Sequence, residues 1–188
     1  MSRASFRELF ERFFGALEAA RVEYFAYGGV AVALWADPRE TQDVDVVVSI
    51  GDQDCSSILD TMRASNFDHS TTDASLFPID GFIRLSHRGR HADLALGRTP
   101  FDRCAFERRG RATLLGREIW VASAEDLLLY KLVAYRFKDL ADARAVVVRQ
   151  GGKLDLEYLR RWSLEIAVRT RKFEVPQKLE ELLAAAGL

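Results

Sequence analysis

Residues 24–48 read YFAYGGVAVALWADPRETQDVDVVV, and this stretch decides the fold because three different patterns follow one another in it. An aromatic-rich strand ends at the glycine pair Gly28-Gly29, and the apolar run after the pair predicts a helix. A valine-rich strand comes next, with Asp43 and Asp45 at its start. The stretch therefore predicts a strand, a glycine pair, a helix and a second strand in succession.

Asp43 and Asp45 are two positions apart on the second predicted strand. Side chains alternate along a strand, so both carboxylates lie on one face with Cα atoms roughly 6.5 to 7 Å apart. Mg²⁺ prefers oxygen ligands and is commonly held by a few carboxylates together with the phosphates of a substrate. The two residues therefore indicate a site for divalent ions in phosphoryl chemistry. The alternative is a solvated end of a strand.

The glycine pair Gly28-Gly29 stands between the first strand and the helix. Backbone N–H groups exposed at such a point, together with the positive end of the helix, bind anions such as phosphate. The alternative is a tight turn that needs only the conformational freedom of glycine. With the carboxylates on the next strand, the pair predicts a phosphate site beside a metal site.

The remaining chain shows further helical and strand patterns. Ser5 and Glu8 form a plausible capping box at the start of an amphipathic first helix, and Arg88-Gly89 and Gly116 each indicate a turn between two strands. The predicted strands cover 24–27, 44–48, 82–86, 91–96, 112–115 and 118–121. The predicted helices, after the first, cover 30–35, about 53–64, a segment capped by Ser123, a segment from near Asp139 to Gln150, and two pieces of 154–188 separated near Pro176.

Gly151-Gly152 marks a break after these elements. We therefore expect a core domain over residues 1–150 and an accessory helical segment over residues 151–188.

The composition is that of a globular chain of one-domain size. The 188 residues are 48% apolar and 29% charged, and 27 Lys and Arg against 28 Asp and Glu give a net charge of -1. These values exclude a disordered chain, collagen-like repeats and a polyanion-binding tail. Cys55 and Cys104 have neither the spacing of a zinc site nor that of a disulfide framework, which favours a reducing compartment. We expect no export signal, because charged residues interrupt the N-terminal stretch at Arg7, Glu8, Glu11 and Arg12. We expect no membrane partner, because the longest apolar run, 24–36, is too short to span a bilayer. The expected location is the cytoplasm.

The glycine pair, the helix and the Asp-x-Asp strand together resemble the signature of the nucleotidyltransferase superfamily of the DNA polymerase β type. The resemblance is carried by Tyr27–Trp35 and Arg39–Val46. It implies an α+β fold (α/β mixed sheet) with helices flanking the sheet. The third carboxylate of this family lies on a later strand, and Asp93 in the strand Ala92–Leu96 takes that role by resemblance. The alternative for Asp93 is an edge-strand residue that faces water.

A second region, Ser123–Lys131 followed by Arg136–Asp142, is similar to the AbiEii-like and MNT-like bacterial branch of the superfamily, which includes toxin–antitoxin members. In that branch a lysine on this helix contacts the nucleotide phosphates, which implies Lys131 as a triphosphate ligand. The alternative for Lys138, Asp139 and Asp142 is a ladder of salt bridges on a helix surface.

This chain departs from the family at the glycine pair, where many members have Gly-Ser and use the hydroxyl to hold a phosphate. With Gly28-Gly29 in its place, a side-chain phosphate ligand has to come from elsewhere, and Arg39 and Thr41 are the candidates.

The resemblance implies a nucleotidyltransferase that uses two Mg²⁺ ions to transfer NMP from an NTP, ATP among them, to an acceptor hydroxyl. Asp43, Asp45 and Asp93 would hold the ions, and Asp93 would also accept or orient the acceptor proton. Gly28 and Gly29, with Lys131, would bind the triphosphate.

An arginine-rich segment, residues 98–117, suggests RNA as the acceptor. Its acids are Asp102 and Glu107, and Phe101 and Phe106 are interleaved with the arginines. The candidate RNA-binding residues are Arg103, Arg108, Arg109 and Arg111. The alternative is a solvated face of a short helix and a turn.

By analogy with toxin-like family members, the acceptor is the 3′ end of a tRNA, and a cognate antitoxin or toxin protein is a further partner. Two alternatives stay open. One is an MNT-type antitoxin that adenylylates a partner protein, and the other is a catalytically silent module that binds a nucleotide or a partner.

Overall fold

The computed structural model describes residues 4–37, 40–51 and 54–188, and within these ranges six strands form one mixed sheet. The strands are β1 (Glu23–Tyr27), β2 (Val44–Ser49), β3 (Phe82–His87), β4 (Arg90–Leu96), β5 (Gly110–Leu114) and β6 (Arg117–Val121). The helices are α1 (Phe6–Ala20), α2 (Gly28–Trp35), α3 (Cys55–Ala64), α4 (Thr71–Asp80), α5 (Pro100–Arg108), α6 (Ala124–Ala134), α7 (Phe137–Gln150), α8 (Leu156–Thr170) and α9 (Glu174–Ala185). The predicted α+β class is confirmed.

The strands lie in the order β3-β4-β2-β1-β6-β5. Three neighbouring pairs are antiparallel, namely β1 with β2, β3 with β4, and β5 with β6. The pairs β2 with β4 and β1 with β6 are parallel. The sheet is therefore mixed, and the two predicted carboxylate strands, β2 and β4, are direct neighbours.

The contacts divide the described chain into two compact units. Residues 4–30, 40–51 and 54–121 form the first, and residues 31–37 and 122–188 form the second. Helices α6 and α7 therefore belong to the same unit as α8 and α9, so the contact division does not coincide with the boundary predicted at residue 150. The accessory role predicted for residues 151–188 stays a prediction.

The core of the first unit is rich in aromatic rings on both faces of the sheet. On one face, α1 places Phe14 against Tyr24 of β1, with ring centroids 5.4 Å apart. On the other face, Phe106 of α5 packs against Phe25 of β1 with centroids 4.8 Å apart. Helix α5 begins at a capping box formed by Thr99 and Asp102, which fixes its first turn.

The second unit is a helical assembly built around α6. Leu127, Leu128 and Leu132 of this helix are fully buried, as are Val146 of α7 and Leu179 of α9. The end of α2 belongs here, because Trp35 donates through its Nε1 to the Ala122 carbonyl at 2.8 Å. Among the described residues, every helix is too short or too polar to traverse a lipid bilayer.

Most predicted elements are present, and two helices were not predicted. Helix α2 begins at Gly28 itself and not at Val30. The middle of the chain, predicted as β-rich, contains α4 and α5 in addition to its strands. Helix α4 escapes a pattern search because Phe77 is its one fully buried side chain among the described residues, and because Pro78 lies inside it.

Candidate functional site

A row of four residues crosses neighbouring strands on one face of the sheet. Asp45 of β2 is in register with Asp93 of β4, with which β2 pairs in parallel. On one side the row continues to Arg84 of β3, and on the other side to Tyr27 of β1. Residues in register on adjacent strands present their side chains to the same face. The predicted carboxylates Asp45 and Asp93 therefore lie side by side, as the predicted site requires.

Helix α5 covers only part of this face. Phe25 is in register with Val47, and each lies two positions along its strand from Tyr27 or Asp45. Gly97, at the end of β4, allows the ring of Phe106 to approach, since a Cβ there would lie 2.7 Å from its Cε2 atom. Helix α5 therefore covers the end of this face that carries Phe25 and Val47, and it does not cover the end that carries the carboxylates.

Gly28 lies directly against the Asp45 carboxylate. Its φ of +63° is in the left-handed region, and a Cβ placed on it would lie 2.0 Å from Asp45 Oδ2 and 2.7 Å from its Cγ. Only glycine fits both the backbone conformation and the contact. The first residue of α2 therefore contacts the Asp45 carboxylate of β2, so the helix N-terminus lies beside the row that contains Asp45 and Asp93.

Arg84 holds both oxygens of Asp93. Its Nε donates to Oδ1 at 2.9 Å and its second amino group, NH2, donates to Oδ2 at 2.7 Å. The Asp93 side chain is 7% exposed, whereas that of Arg84 is 55% exposed. Hydrogen bonding to Asp93 and the charge of that carboxylate raise the pKa of Arg84, and the charges of Asp43 and Asp45 add to the rise. All three carboxylates therefore act on one guanidinium.

Asp43 precedes β2, and its backbone carbonyl accepts a hydrogen bond from the Thr41 hydroxyl at 3.1 Å. The Thr41 hydroxyl thus has a local partner, and its predicted role as a phosphate ligand stays a prediction. Arg39, the other candidate for that role, lies outside the described residues.

No three His, Cys, Asp or Glu side chains within the described ranges converge closely enough to hold a metal ion by themselves. Asp43 and Asp45 nevertheless supply the oxygen donors that a hard cation prefers. Mg²⁺ usually takes one or two carboxylates and completes its octahedral shell with substrate phosphates and water. The donor set therefore fits Mg²⁺ bound together with a nucleotide, and the metal-binding role of Asp93 stays a prediction.

Lys131 lies on α6 in the second unit and is nearly buried. Its Nζ is 2.9 Å from Asp139 Oδ1 and 2.8 Å from Asp142 Oδ2. Burial alone would raise the pKa of Asp139, but hydrogen bonds from Arg136 and Lys131 outweigh burial and leave that pKa below its ordinary value. The lysine is thus the centre of a buried ion cluster, and its predicted contact with triphosphate stays a prediction.

Several arginines of the arginine-rich segment are held in ion pairs. Arg109 is 2.9 Å from Glu23, and Arg111 pairs with Glu118. Both guanidinium groups also lie over the Trp120 ring, 4.9 and 4.5 Å from its centroid. These contacts build a structural cluster at the β5–β6 hairpin, which the spacing of arginines in the sequence did not distinguish from a basic patch.

Arg103 differs from its neighbours. It is exposed on α5, and its guanidinium makes no hydrogen bond or ion pair to another residue in the described ranges. Arg108, five positions further along α5, is half-buried and takes part in an interaction of its own. RNA binding by this segment stays a prediction.

Sequence reasoning missed Arg84, although the sequence holds the signal. Arg84 is four positions before Arg88 and Asp93 is four positions after Gly89. A two-residue turn at Arg88-Gly89 therefore pairs the two residues across the hairpin, as the structure shows. An arginine opposite an aspartate on an antiparallel pair is a favourable cross-strand neighbour.

Comparison with solved structures shows that this fold is of the nucleotidyltransferase type. The antibiotic-resistance factor ANT(2'')-Ia in solution matches with a TM-score of 0.58 and 14% identity over 92% of this chain and 96% of that chain. A crystal structure of ANT(2")-Ia in complex with adenylyl-2"-tobramycin matches with a TM-score of 0.59 and 14% identity, over 87% and 96% of the two chains.

The lincosamide antibiotic adenylyltransferase LnuA, solved with lincomycin bound, is also similar. Its TM-score is 0.56 at 15% identity, and the match covers 77% of this chain and 98% of that chain. No protein-family model matches the sequence, and a search of curated proteins gives no match. The likeness confirms the nucleotidyltransferase-type fold, and the AbiEii-like and MNT-like branch stays a prediction.

Proposed function

We propose that this protein is a nucleotidyltransferase that moves NMP from an NTP to an acceptor hydroxyl. The observation that carries the proposal is the register of β2 with β4, which sets Asp45 beside Asp93, together with the contact between Gly28 and Asp45. A carboxylate row next to a helix N-terminus supplies a place for metal and a place for phosphate in one site. The shared fold of known adenylyltransferases supports the same class of reaction.

The chain's own residues account for the steps of the transfer. Asp93 accepts the proton of the acceptor hydroxyl, whose oxygen forms a bond to the α-phosphorus. The bond from that phosphorus to the bridging β-oxygen breaks, and pyrophosphate leaves with the electron pair. Backbone N–H groups at Gly28 and Gly29 bind the triphosphate. Asp43 and Asp45 would hold Mg²⁺, which would neutralise the charge of the phosphates.

For the acceptor we propose RNA before protein, because Arg103 is an exposed cation without an ion-pair partner among the described residues. More specifically, we propose that the acceptor is the 3′ end of a tRNA, and that the protein acts in a toxin–antitoxin system with a cognate partner protein. Transfer to a partner protein and nucleotide binding without transfer are the other outcomes that the assay below separates.

The proposal is tested by transfer of label from each α-³²P-NTP, with Mg²⁺, to RNA or protein of a cell lysate. We expect wild-type protein to label one class of acceptor and Asp45→Asn to lose at least about 100-fold in rate, because one of the carboxylates that hold the cation is gone. Asp60→Asn on α3 is the matched control, since Asp60 is exposed and outside the row, and it should retain wild-type transfer.

Equal rates for Asp45→Asn and wild type would contradict the assignment of the site. Absence of labelled product with every NTP, combined with saturable NTP binding, would favour a silent binding module over an enzyme. Circular dichroism of both variants tests whether either substitution unfolds the chain.

A further inference from the structure

One face of the edge strand β3 is open next to the carboxylate row. Along this strand, Phe82 and Arg84 are exposed, whereas Ile83 and Leu85 between and after them are buried. Phe82 and Arg84 are two positions apart and therefore share the face that carries Asp93. A molecule that approaches Asp93 over this edge meets a phenyl ring and a guanidinium.

Arg84 has donors to spare at this place. A guanidinium carries five N–H bonds, and the pairing with Asp93 uses the one on Nε and one of the two on NH2. Three N–H bonds are left, and within the described ranges they donate to no other residue. The side chain is more than half exposed, so these donors face solvent while the others hold Asp93 in place.

The remaining donors suit an oxyanion. Arginine binds carboxylate and phosphate groups through two parallel N–H donors, and such charge-assisted hydrogen bonds are stronger than neutral ones. A polyamine would instead place cations against the guanidinium, which disfavours binding at this side of the site. The exposed Phe82 ring adds an apolar surface for the body of the same molecule.

We propose that Arg84 and Phe82 form the acceptor subsite, and that the acceptor carries a phosphate or carboxylate close to the hydroxyl that receives NMP. The inference rests on the proposed function, since it takes Asp93 as the group that faces the acceptor hydroxyl. A hydroxyl within about 3 Å of Asp93 and an oxyanion within about 3 Å of Arg84 lie roughly 4 to 7 Å apart. Vicinal and 1,3-hydroxy phosphates meet that separation, and so does the end of an RNA chain.

Direct binding tests the subsite independently of turnover. Protein labelled with ¹⁵N is saturated with Mg²⁺ and α,β-methylene ATP, and the arginine Nε–Hε and backbone signals are followed by NMR. The probes are glycerol 3-phosphate, uncharged glycerol and the polycation tobramycin. We expect glycerol 3-phosphate to shift the signals of Phe82 and Arg84 saturably, and glycerol and tobramycin to leave them unchanged.

Variants separate this subsite from the nucleotide site. Arg84→Ala should weaken glycerol 3-phosphate binding by about 10- to 100-fold, the loss typical of charge-assisted hydrogen bonds. Arg84→Lys keeps the charge and loses the planar donors, so its affinity for glycerol 3-phosphate should lie between those of wild type and Arg84→Ala. Arg63→Ala, an exposed arginine of α3, is the control and should bind as wild type does. The dissociation constant of α,β-methylene ATP should be the same in all four proteins.

Three results would each overturn the proposal. The first is that Arg84→Ala binds glycerol 3-phosphate as wild type does, and the second is that tobramycin shifts the signals of Phe82 and Arg84 saturably. The third is that Arg84→Ala loses affinity for the nucleotide and not for glycerol 3-phosphate. The transfer assay is then repeated on lysate fractionated by charge and by size. Label in the anionic RNA fraction or in the anionic small-molecule fraction identifies the source of the oxyanion. Label confined to cationic acceptors refutes the subsite and leaves the proposed function standing, whereas probe binding without any transfer refutes the proposed function.

Discussion

Replacement of Gly28 by alanine tests the contact between Gly28 and Asp45 in the proposed site. At φ +63° an alanine pays a steric cost of about 1 kcal/mol or more, because its Cβ approaches the following carbonyl. The new Cβ would also lie 2.0 Å from Asp45 Oδ2, so the carboxylate has to move by at least about 1 Å, at a cost of roughly 1 kcal/mol if it leaves its rotamer. We therefore expect Gly28→Ala to lower the free energy of unfolding by about 2 kcal/mol.

The effect on transfer should exceed the effect on stability. A displacement of about 1 Å in a positioned group can cost about 100-fold in rate, and here the displaced group is a carboxylate of the site itself. Urea unfolding measures the stability, and transfer of α-³²P label measures the rate at a temperature where both proteins are folded.

Gly116→Ala is the matched control for this experiment. Gly116 also has a positive φ, +85°, but a Cβ built there meets no atom of the described chain within 4 Å. Its substitution should therefore cost about 1 kcal/mol of stability through backbone strain and leave transfer unchanged. If Gly28→Ala kept the wild-type rate, or if both variants lost transfer equally, the contact with Asp45 would not be what positions the site.

The buried ion cluster of the second unit yields two further predictions. Lys131→Met should lower the free energy of unfolding, measured in urea, by about 3 kcal/mol, because Asp139 and Asp142 are left buried without this counter-charge. An unchanged stability combined with a raised KM for NTP would instead favour a lysine that binds phosphate. The folded-state pKa of Asp139 is lowered, so its pairing stabilises the protein above the pKa of an unfolded aspartate, about 3.9, and this stabilisation is lost as the pH falls through the folded value. Unfolding free energies measured from pH 7 down to pH 3 should therefore drop at the acid end, with a smaller drop in Asp139→Asn; identical pH dependence in the two proteins would refute the role of this carboxylate.

The elements around the site were predictable because their signals are local. An aromatic strand, a glycine pair and an alternating acidic strand each need only neighbouring residues to be recognised, and β1, α2 and β2 are found where these patterns predict them. Even the Arg84–Asp93 pair follows from the two-residue turn at Arg88-Gly89. Helix α4 was missed because it has little apolar periodicity and contains a proline.

The ionic partners were not predictable from spacing. Arg109 and Arg111 look in the sequence like part of a basic patch, but their partners Glu23 and Glu118 come from strands whose pairing brings the charges together. Lys131 likewise reads as a helix lysine and lies in a buried cluster because α6 and α7 pack against each other. The spacing of charged residues along the chain does not indicate whether their side chains are buried or which ion-pair partners they have.

The sequence by itself predicted that two carboxylates lie on one face of a strand and that a glycine pair separates the preceding strand from its helix, since both follow from backbone geometry over a few residues. Only the tertiary structure decided that Asp93 lies beside Asp45 and that Gly28 touches the Asp45 side chain. A parallel pairing such as that of β2 with β4 joins segments far apart in the chain, and its register depends on how all the strands and helices pack.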